Sequence, residues 1–294
     1  MTALEAYAAR LADPTDAAEA QDFCLRLASE NRGESILTWR LVSRRLRPHV
    51  AALHAFASIA RSMVADPAHE GFREQRLQDW RRQLAEVGRL PPEHPVFAAL
   101  GRTLPEFSLP AQHCDEIISA CLQDLARSRY RTYDELLGLC RRAADPLGRL
   151  LFMLHGFRDE SVLRYSDALC SALLLTRFWR DLSLDLKRDH IYIPEEDFLA
   201  FGYSEADLRM GVCNEKFREL MKFEINRTRA LFEQARPLPE KLPRLLAWQV
   251  RLTWYGGRET LRRIRKSGFD TLTQRPLLSR WDWLPLLLRT VLKP

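Results

Sequence analysis

An all-α fold is what this sequence predicts, and three observations carry the prediction. Aliphatic and aromatic residues recur at three- and four-residue spacing along most of the chain, the period of a helix that buries one face. Prolines and a capping box fall mostly where one periodic stretch gives way to the next, which is where helices start and stop. No alternating apolar-polar run is long enough to build a sheet.

Taken in order, Ser35 to Met63 carries the first long pattern, with Pro48 placed to restart a helix. Glu74 to Val87 is a charged amphipathic helix, Pro91-Pro92 breaks the pattern, and a short helix restarts between His94 and Thr103. Ala111 to Arg127 forms the next. Thr132 and Glu135 stand in capping-box spacing and open a helix through Cys140 to Ala144, after which Pro146 starts another toward Gly156. Ser161 to Leu186 is the most apolar long segment and the candidate central helix. Ile191-Tyr192-Ile193-Pro194 reads as a short extended exit, because a residue before proline is pushed out of the helical region. Asn214 to Ala235 and Leu245 to Ser267 are two further long helices, and Leu277 to Leu292 closes the chain with Pro285 inside it.

At 294 residues and 46% hydrophobic the chain is long enough for a large core, and no Gly/Ser-rich linker divides it, so a single domain over residues 1–294 is expected. The formal net charge of +6 permits attraction to phosphates, nucleic acid or an acidic membrane face and selects none of them. Neither basic run, Arg127 to Arg131 or Arg258 to Lys266, comes with a reading element for nucleic acid, so none is expected as a partner. Six scattered cysteines without a CxxC read as reduced thiols of a cytoplasmic protein. No signal peptide is expected, since the first residues hold Glu5, Asp13, Asp16 and Glu19 and no apolar core. A spanning helix is not expected either, because no apolar stretch reaches about 18 residues. At the C-terminus Trp281, Trp283, Leu284, Leu286, Leu287, Leu288, Val291 and Leu292 lie among Arg280, Arg289 and Lys293. Such a segment either packs on the body of the fold or rests peripherally at the inner membrane face.

The chemistry points to Arg177-Phe178-Trp179-Arg180-Asp181-Leu182-Ser183-Leu184-Asp185. On a helix, one face carries both Asp181 and Asp185. Paired carboxylates hold Mg2+ against a diphosphate when an opposite element adds oxygen ligands. Those further ligands are what the sequence lacks, and its seven histidines show no metal-ligand spacing.

Several blocks carry a family likeness in register: Glu30-Asn31, Arg44 to Ala52, His94 to Leu100, Cys140 to Arg149, Asp181 to Pro194, then Glu196-Asp197 with Phe201-Gly202. Over residues 30–275 the chain resembles the squalene and phytoene synthase family, most closely its bacterial hydroxysqualene synthase branch in hopanoid biosynthesis. The resemblance implies a head-to-head prenyl synthase fold with a central apolar cavity, two aspartate motifs facing each other across Mg2+ and diphosphate, and an isoprenoid or isoprenyl diphosphate as ligand.

Departures from the family pattern concentrate where the resemblance places the chemistry. The acids of the first motif correspond to Arg61, Ser62 and Ala65, and Asp66 comes one place late, about 100° round a helix. A family arginine corresponds to Ser58 and a family tyrosine to His54. In the second motif Asp181 and Asp185 are present, but a metal-side asparagine corresponds to Arg177 and a glutamine to Leu174. A cavity tyrosine corresponds to Leu139, the arginine after the motif to His190, and Tyr255 matches a cavity position. An arginine has donors and no lone pair for Mg2+. Two uses of Arg61 and Arg177 stay open: pairing with Asp181 and Asp185, or gripping a diphosphate directly, with His54 and Leu139 beside the ligand. The expectation is therefore a family member of hopanoid or squalene metabolism without Mg2+-dependent catalysis and without a cofactor, binding an isoprenoid or a pathway protein. The alternative is an active enzyme converting presqualene diphosphate to hydroxysqualene or squalene, with Mg2+ on Asp181 and Asp185.

Overall fold

The structure is a computed structural model that describes residues 17–30 and 42–292. Residues 35–41 of the expected Ser35 to Met63 helix, and Asn31 of the first block, lie outside those residues, and the helix itself starts only at Arg47. The described residues form α-helices and short 3-10 turns and no strand. They fall into two compact units, one of residues up to 125 together with 146–159, the other of residues 126–145 together with 160 onward.

The first unit holds α1 (Ala17–Glu30), α2 (Arg47–Ala65), α3 (Arg73–Glu86), α4 (Pro95–Glu106), α5 (Gln112–Ala126) and most of α7 (Asp145–Leu154). Pro48 stands in the first turn of α2, where a missing N–H costs nothing. Small residues bury against large ones along α2, Ala51, Ala52, Ala55 and Ala57 beside Leu53 and Phe56. Phe56, Trp80 and Phe97 meet at ring separations of 4.4–6.1 Å and join α2, α3 and α4.

The second unit holds α6 (Tyr133–Ala143), α8 (Glu160–Arg180), α9 (Leu182–Lys187), α10 (Glu195–Ala200), α11 (Glu205–Arg209), α12 (Glu215–Gln234), α13 (Arg244–Lys266) and α14 (Trp283–Leu292). Thr132 caps α6, its Oγ1 accepting from Glu135 N at 3.3 Å. The reciprocal half of the expected capping box is absent, because the Glu135 carboxylate accepts from Arg131 N instead. Asn214 caps α12, its Oδ1 accepting from Phe217 N at 3.0 Å. α8 packs on α6, α12 and α13. Trp179 on α8 is fully buried and donates to Thr228 on α12 at 2.8 Å. A Cβ added at Gly257 on α13 would stand 2.5 Å from Phe232 Cζ and 2.9 Å from Leu173 Cδ2, so only glycine admits this approach of α8, α12 and α13.

The predicted helix from Ser161 to Leu186 is two helices. α8 stops at Arg180, Asp181 leaves helical geometry at φ −100° and ψ 14°, and α9 starts at Leu182. The apolar period runs through the break because both pieces bury the same kind of side chain. The extended exit predicted at Ile191 to Pro194 docks on residues 128–131, Ile191 N donating to Ser128 O at 3.0 Å and Glu195 N to Tyr130 O at 2.9 Å. All six cysteines are free thiols, and burial pushes those of Cys24, Cys114 and Cys121 up to about 12. No helix among the described residues is long and apolar enough to cross a membrane. At the C-terminus α14 buries Leu286 and Thr290 and leaves Leu284, Leu288 and Val291 exposed.

Candidate functional site

The break between α8 and α9 places Asp181 at the turn and Asp185 one turn later, Asp185 N donating to Asp181 O at 3.0 Å. Both carboxylates are buried, Asp181 at 5% and Asp185 at 1% exposure, so each needs a partner. Arginines supply them. Arg180 reaches forward from the last turn of α8, its Nε 2.9 Å from Asp181 Oδ1 and its Nη2 2.8 Å from Oδ2. Arg275, from the segment after α13, adds Nε at 2.8 Å from Oδ1. Desolvation pushes the Asp181 carboxyl up, but the hydrogen bonds from Arg180 and Arg275 outweigh it and hold the group below its ordinary range.

Arg188 closes on Asp185 Oδ1 from the following turn, and Arg177 Nη1 stands 4.0 Å from the same oxygen. Asp189 in the left-handed region, φ 60°, turns the chain sharply after α9. That turn lets His190 N donate to Asp185 O at 3.0 Å, while the His190 ring Nδ1 meets Arg188 O. Arg177 lies over the Phe178 ring at 4.6 Å, and Phe178 stacks on Tyr192 at 3.7 Å, so an aromatic wall fixes the guanidinium. Asp185 Oδ2 is buried and makes no hydrogen bond to the described residues. Three of the four carboxylate oxygens thus carry guanidinium hydrogen bonds. Four guanidinium groups within 4.0 Å of two carboxylates leave an excess of two positive charges.

Of the residues singled out in the sequence, Arg177, Asp181 and Asp185 come together here. Arg180 stood beside Asp181 in the Arg177 to Asp185 stretch, whereas Arg188 and Arg275 were missed. Arg188 is three residues from Asp185, a spacing that pairs side chains on one helical turn, whereas Arg275 is 94 residues from Asp181 and gave no local signal. Leu139 is buried on the face of α6 that also buries Leu136 and Cys140. Tyr255 is half-buried on α13 and lines a groove between α12 and α13, its ring set against Trp254 at 5.1 Å.

His54 and Arg61 lie on α2 in the first unit. Desolvation pushes the His54 imidazole down to about 4, with the nearby Arg61 charge acting in the same direction. Arg61 is exposed. Ser62 turns its hydroxyl back to Ile59 O at 2.8 Å. Asp66 is spent at the end of α2, accepting from Ala68 N at 2.9 Å.

Residues 31–282 match the profile of the family described as squalene/phytoene synthase. The chain belongs to the squalene/phytoene synthase family. It is similar to a phytoene synthase of Arthrospira platensis, 28% identical over 281 residues and 91% of each chain. Among solved structures it is similar to the squalene synthase HpnC from Alicyclobacillus acidocaldarius, at a TM-score of 0.81 and 30% identity, covering 88% of this chain and 97% of that one. A dehydrosqualene synthase solved in complex with a ligand shares the fold at a TM-score of 0.85 and 20% identity, covering 95% and 98%.

The family likeness brings Mg2+ with it as an expectation, and the donor set of the second unit can be weighed against that ion. Mg2+ takes oxygen lone pairs in near-octahedral geometry. Here one buried oxygen, Asp185 Oδ2, is open, and the others are turned to arginines. No group of three or more acidic, histidine or cysteine side chains stands at metal-holding distance among the described residues. These residues do not fit Mg2+; an excess of guanidinium suits an anion.

Proposed function

We propose that this squalene/phytoene-synthase-family protein acts in isoprenoid metabolism, in its hopanoid or squalene branch, by binding an isoprenoid diphosphate without Mg2+-dependent ionisation. The observation that carries the reading is the guanidinium coat on Asp181 and Asp185, which satisfies three of their four oxygens. Ionising an allylic or cyclopropylcarbinyl diphosphate puts negative charge on the leaving group, and metal ions supply the counter-charge in that chemistry. Arginines supply charge too, and their planar fork matches phosphate oxygens in pairs. Arg177 and Arg275, with side chains 38% and 41% exposed, are the two with surface left for a ligand.

The test uses the full-length protein with farnesyl diphosphate and presqualene diphosphate, each in Mg2+ and in EDTA. Binding by calorimetry is expected in both conditions, with no product by mass spectrometry. Consumption of presqualene diphosphate only in Mg2+, with hydroxysqualene or squalene formed, overturns the reading in favour of an active synthase. Absence of binding to either compound, in either condition, leaves a pathway protein as the partner.

A further inference from the structure

A ten-residue helix with three large apolar side chains turned to solvent stands at the end of this chain, preceded by a 3-10 turn that exposes a tryptophan. α14 is tied down on its inner side. Leu286 is 3% exposed, Trp283 lies against Gly256 of α13, Asp282 pairs with Arg263, and Ser279 with Asp282 closes a capping box. Its outer side is a stripe of Leu284, Leu288 and Val291, which are 59%, 54% and 55% exposed, with Trp281, 83% exposed, in the 3-10 turn just before it. The steps of four and three residues put the three helical side chains on one face. An exposed apolar row of this kind marks an interaction surface.

The neighbouring surface says what kind. A groove of about 1130 Å³ runs between α12 and α13, and Arg289 of α14 is one of its lining residues. Nine arginine and lysine side chains and five glutamates line it, an excess of four in a chain whose net charge is +6. Three of the glutamates pair with cations of the same lining, Glu233 with Arg258, Glu259 with Arg262 and Glu219 with Lys222, which leaves the excess of four unchanged. An apolar stripe flanked by concentrated positive charge is complementary to a bilayer that carries anionic headgroups. The helix spans only about 15 Å at 1.5 Å per residue, half a hydrocarbon core, so it suits lying along an interface and not crossing it.

We propose that α14 and the basic groove beside it dock this protein on an anionic membrane surface, the stripe entering the headgroup boundary and the groove facing lipid phosphates. The inference is independent of whether the Asp181 site catalyses. It places the chain where long isoprenoids reside.

Co-sedimentation with phosphatidylcholine vesicles, with and without anionic phosphatidylglycerol, tests it. Binding at least about tenfold stronger to the anionic vesicles is expected, weakening as salt screens the groove. Leu284→Glu with Leu288→Glu removes binding at unchanged circular dichroism, since both side chains are solvent-exposed. Arg289→Glu with Arg265→Glu erases the anionic preference and leaves the weak neutral-vesicle binding. Equal binding to both vesicle types, or no binding to either, overturns the proposal. So does a concentration-dependent dimer, seen by ultracentrifugation without lipid and abolished by the leucine variants, because the stripe then covers a second copy.

Discussion

Asp181→Asn separates a charge network from a metal site by the sign of a stability change. The wild-type carboxylate is 5% exposed and accepts three guanidinium hydrogen bonds of 2.8–2.9 Å. The amide keeps the shape, loses the charge, and turns an N–H donor toward a guanidinium donor. Removing one partner of a buried ion pair costs about 3–5 kcal/mol. The Arg275 side chain is 41% exposed, so its share is screened by solvent and the lower end, about 3 kcal/mol, is the expectation. For a chain of 294 residues that lowers the melting temperature by about 5 °C. Thermal melts in EDTA, followed by far-ultraviolet circular dichroism, measure it. Two carboxylates prepared for a metal repel each other in metal-free protein, so there the amide relieves strain. An unchanged or raised melting temperature therefore refutes the charge-network account. A pH series adds a second readout: Asp181 titrates below 3.8 when folded, so its stabilisation is present above that value and lost as pH falls through the folded one. Wild type and variant should converge at strongly acid pH.

Mg2+ added to the protein with a non-hydrolysable diphosphate analogue should give no saturable heat; micromolar binding in calorimetry would refute the argument from the Asp181 and Asp185 donor set. Burial pushes the Glu224 carboxyl from 4.5 up to about 8, so between those values the folded chain holds more protons than the unfolded one and stability falls as pH rises. Glu224→Gln should flatten that slope in urea titrations, and an unaltered slope points to another group. Gly257→Ala forces a methyl to 2.5 Å from Phe232 Cζ; overpacking of about 1–3 kcal/mol exceeds the gain of about 1 kcal/mol in helix propensity. A lowered urea midpoint is expected, and an unmoved one means that α8, α12 and α13 part easily.

Much of the fold was legible because local signals agree with tertiary packing. Thr132 and Asn214 announce their helices by a side-chain oxygen at the right place, and the structure uses both. The break at Asp181 was not legible, since Leu182 and Asp185 are buried just as Leu175 and Phe178 are, and hydrophobic period cannot see a change in backbone direction. At the site, local spacing reveals Arg188 beside Asp185 but not Arg275 beside Asp181. The same blindness hid the fate of Asp66. Its sequence neighbourhood reads as a displaced metal ligand, while its carboxylate is engaged in holding the turn after α2.

The presence of two aspartates in a family motif is weak evidence for a metal, because burial alone gives them another reason to be paired. At 5% and 1% exposure, an unpartnered Asp181 or Asp185 would cost several kcal/mol or give up its charge by binding a proton. A cation in contact prevents that, and a guanidinium and a divalent ion both serve. What separates them is the count of lone pairs left over. A divalent site needs carboxylate oxygens in excess of positive charge, whereas here four arginines outnumber two acids. Seen in that light Arg177 adds to the same preference: it brings a charge, has no lone pair for a metal and stacks on Phe178. Under the proposed function the aspartates act as counter-ions that aim the arginines, and the ligand carries the negative charge itself.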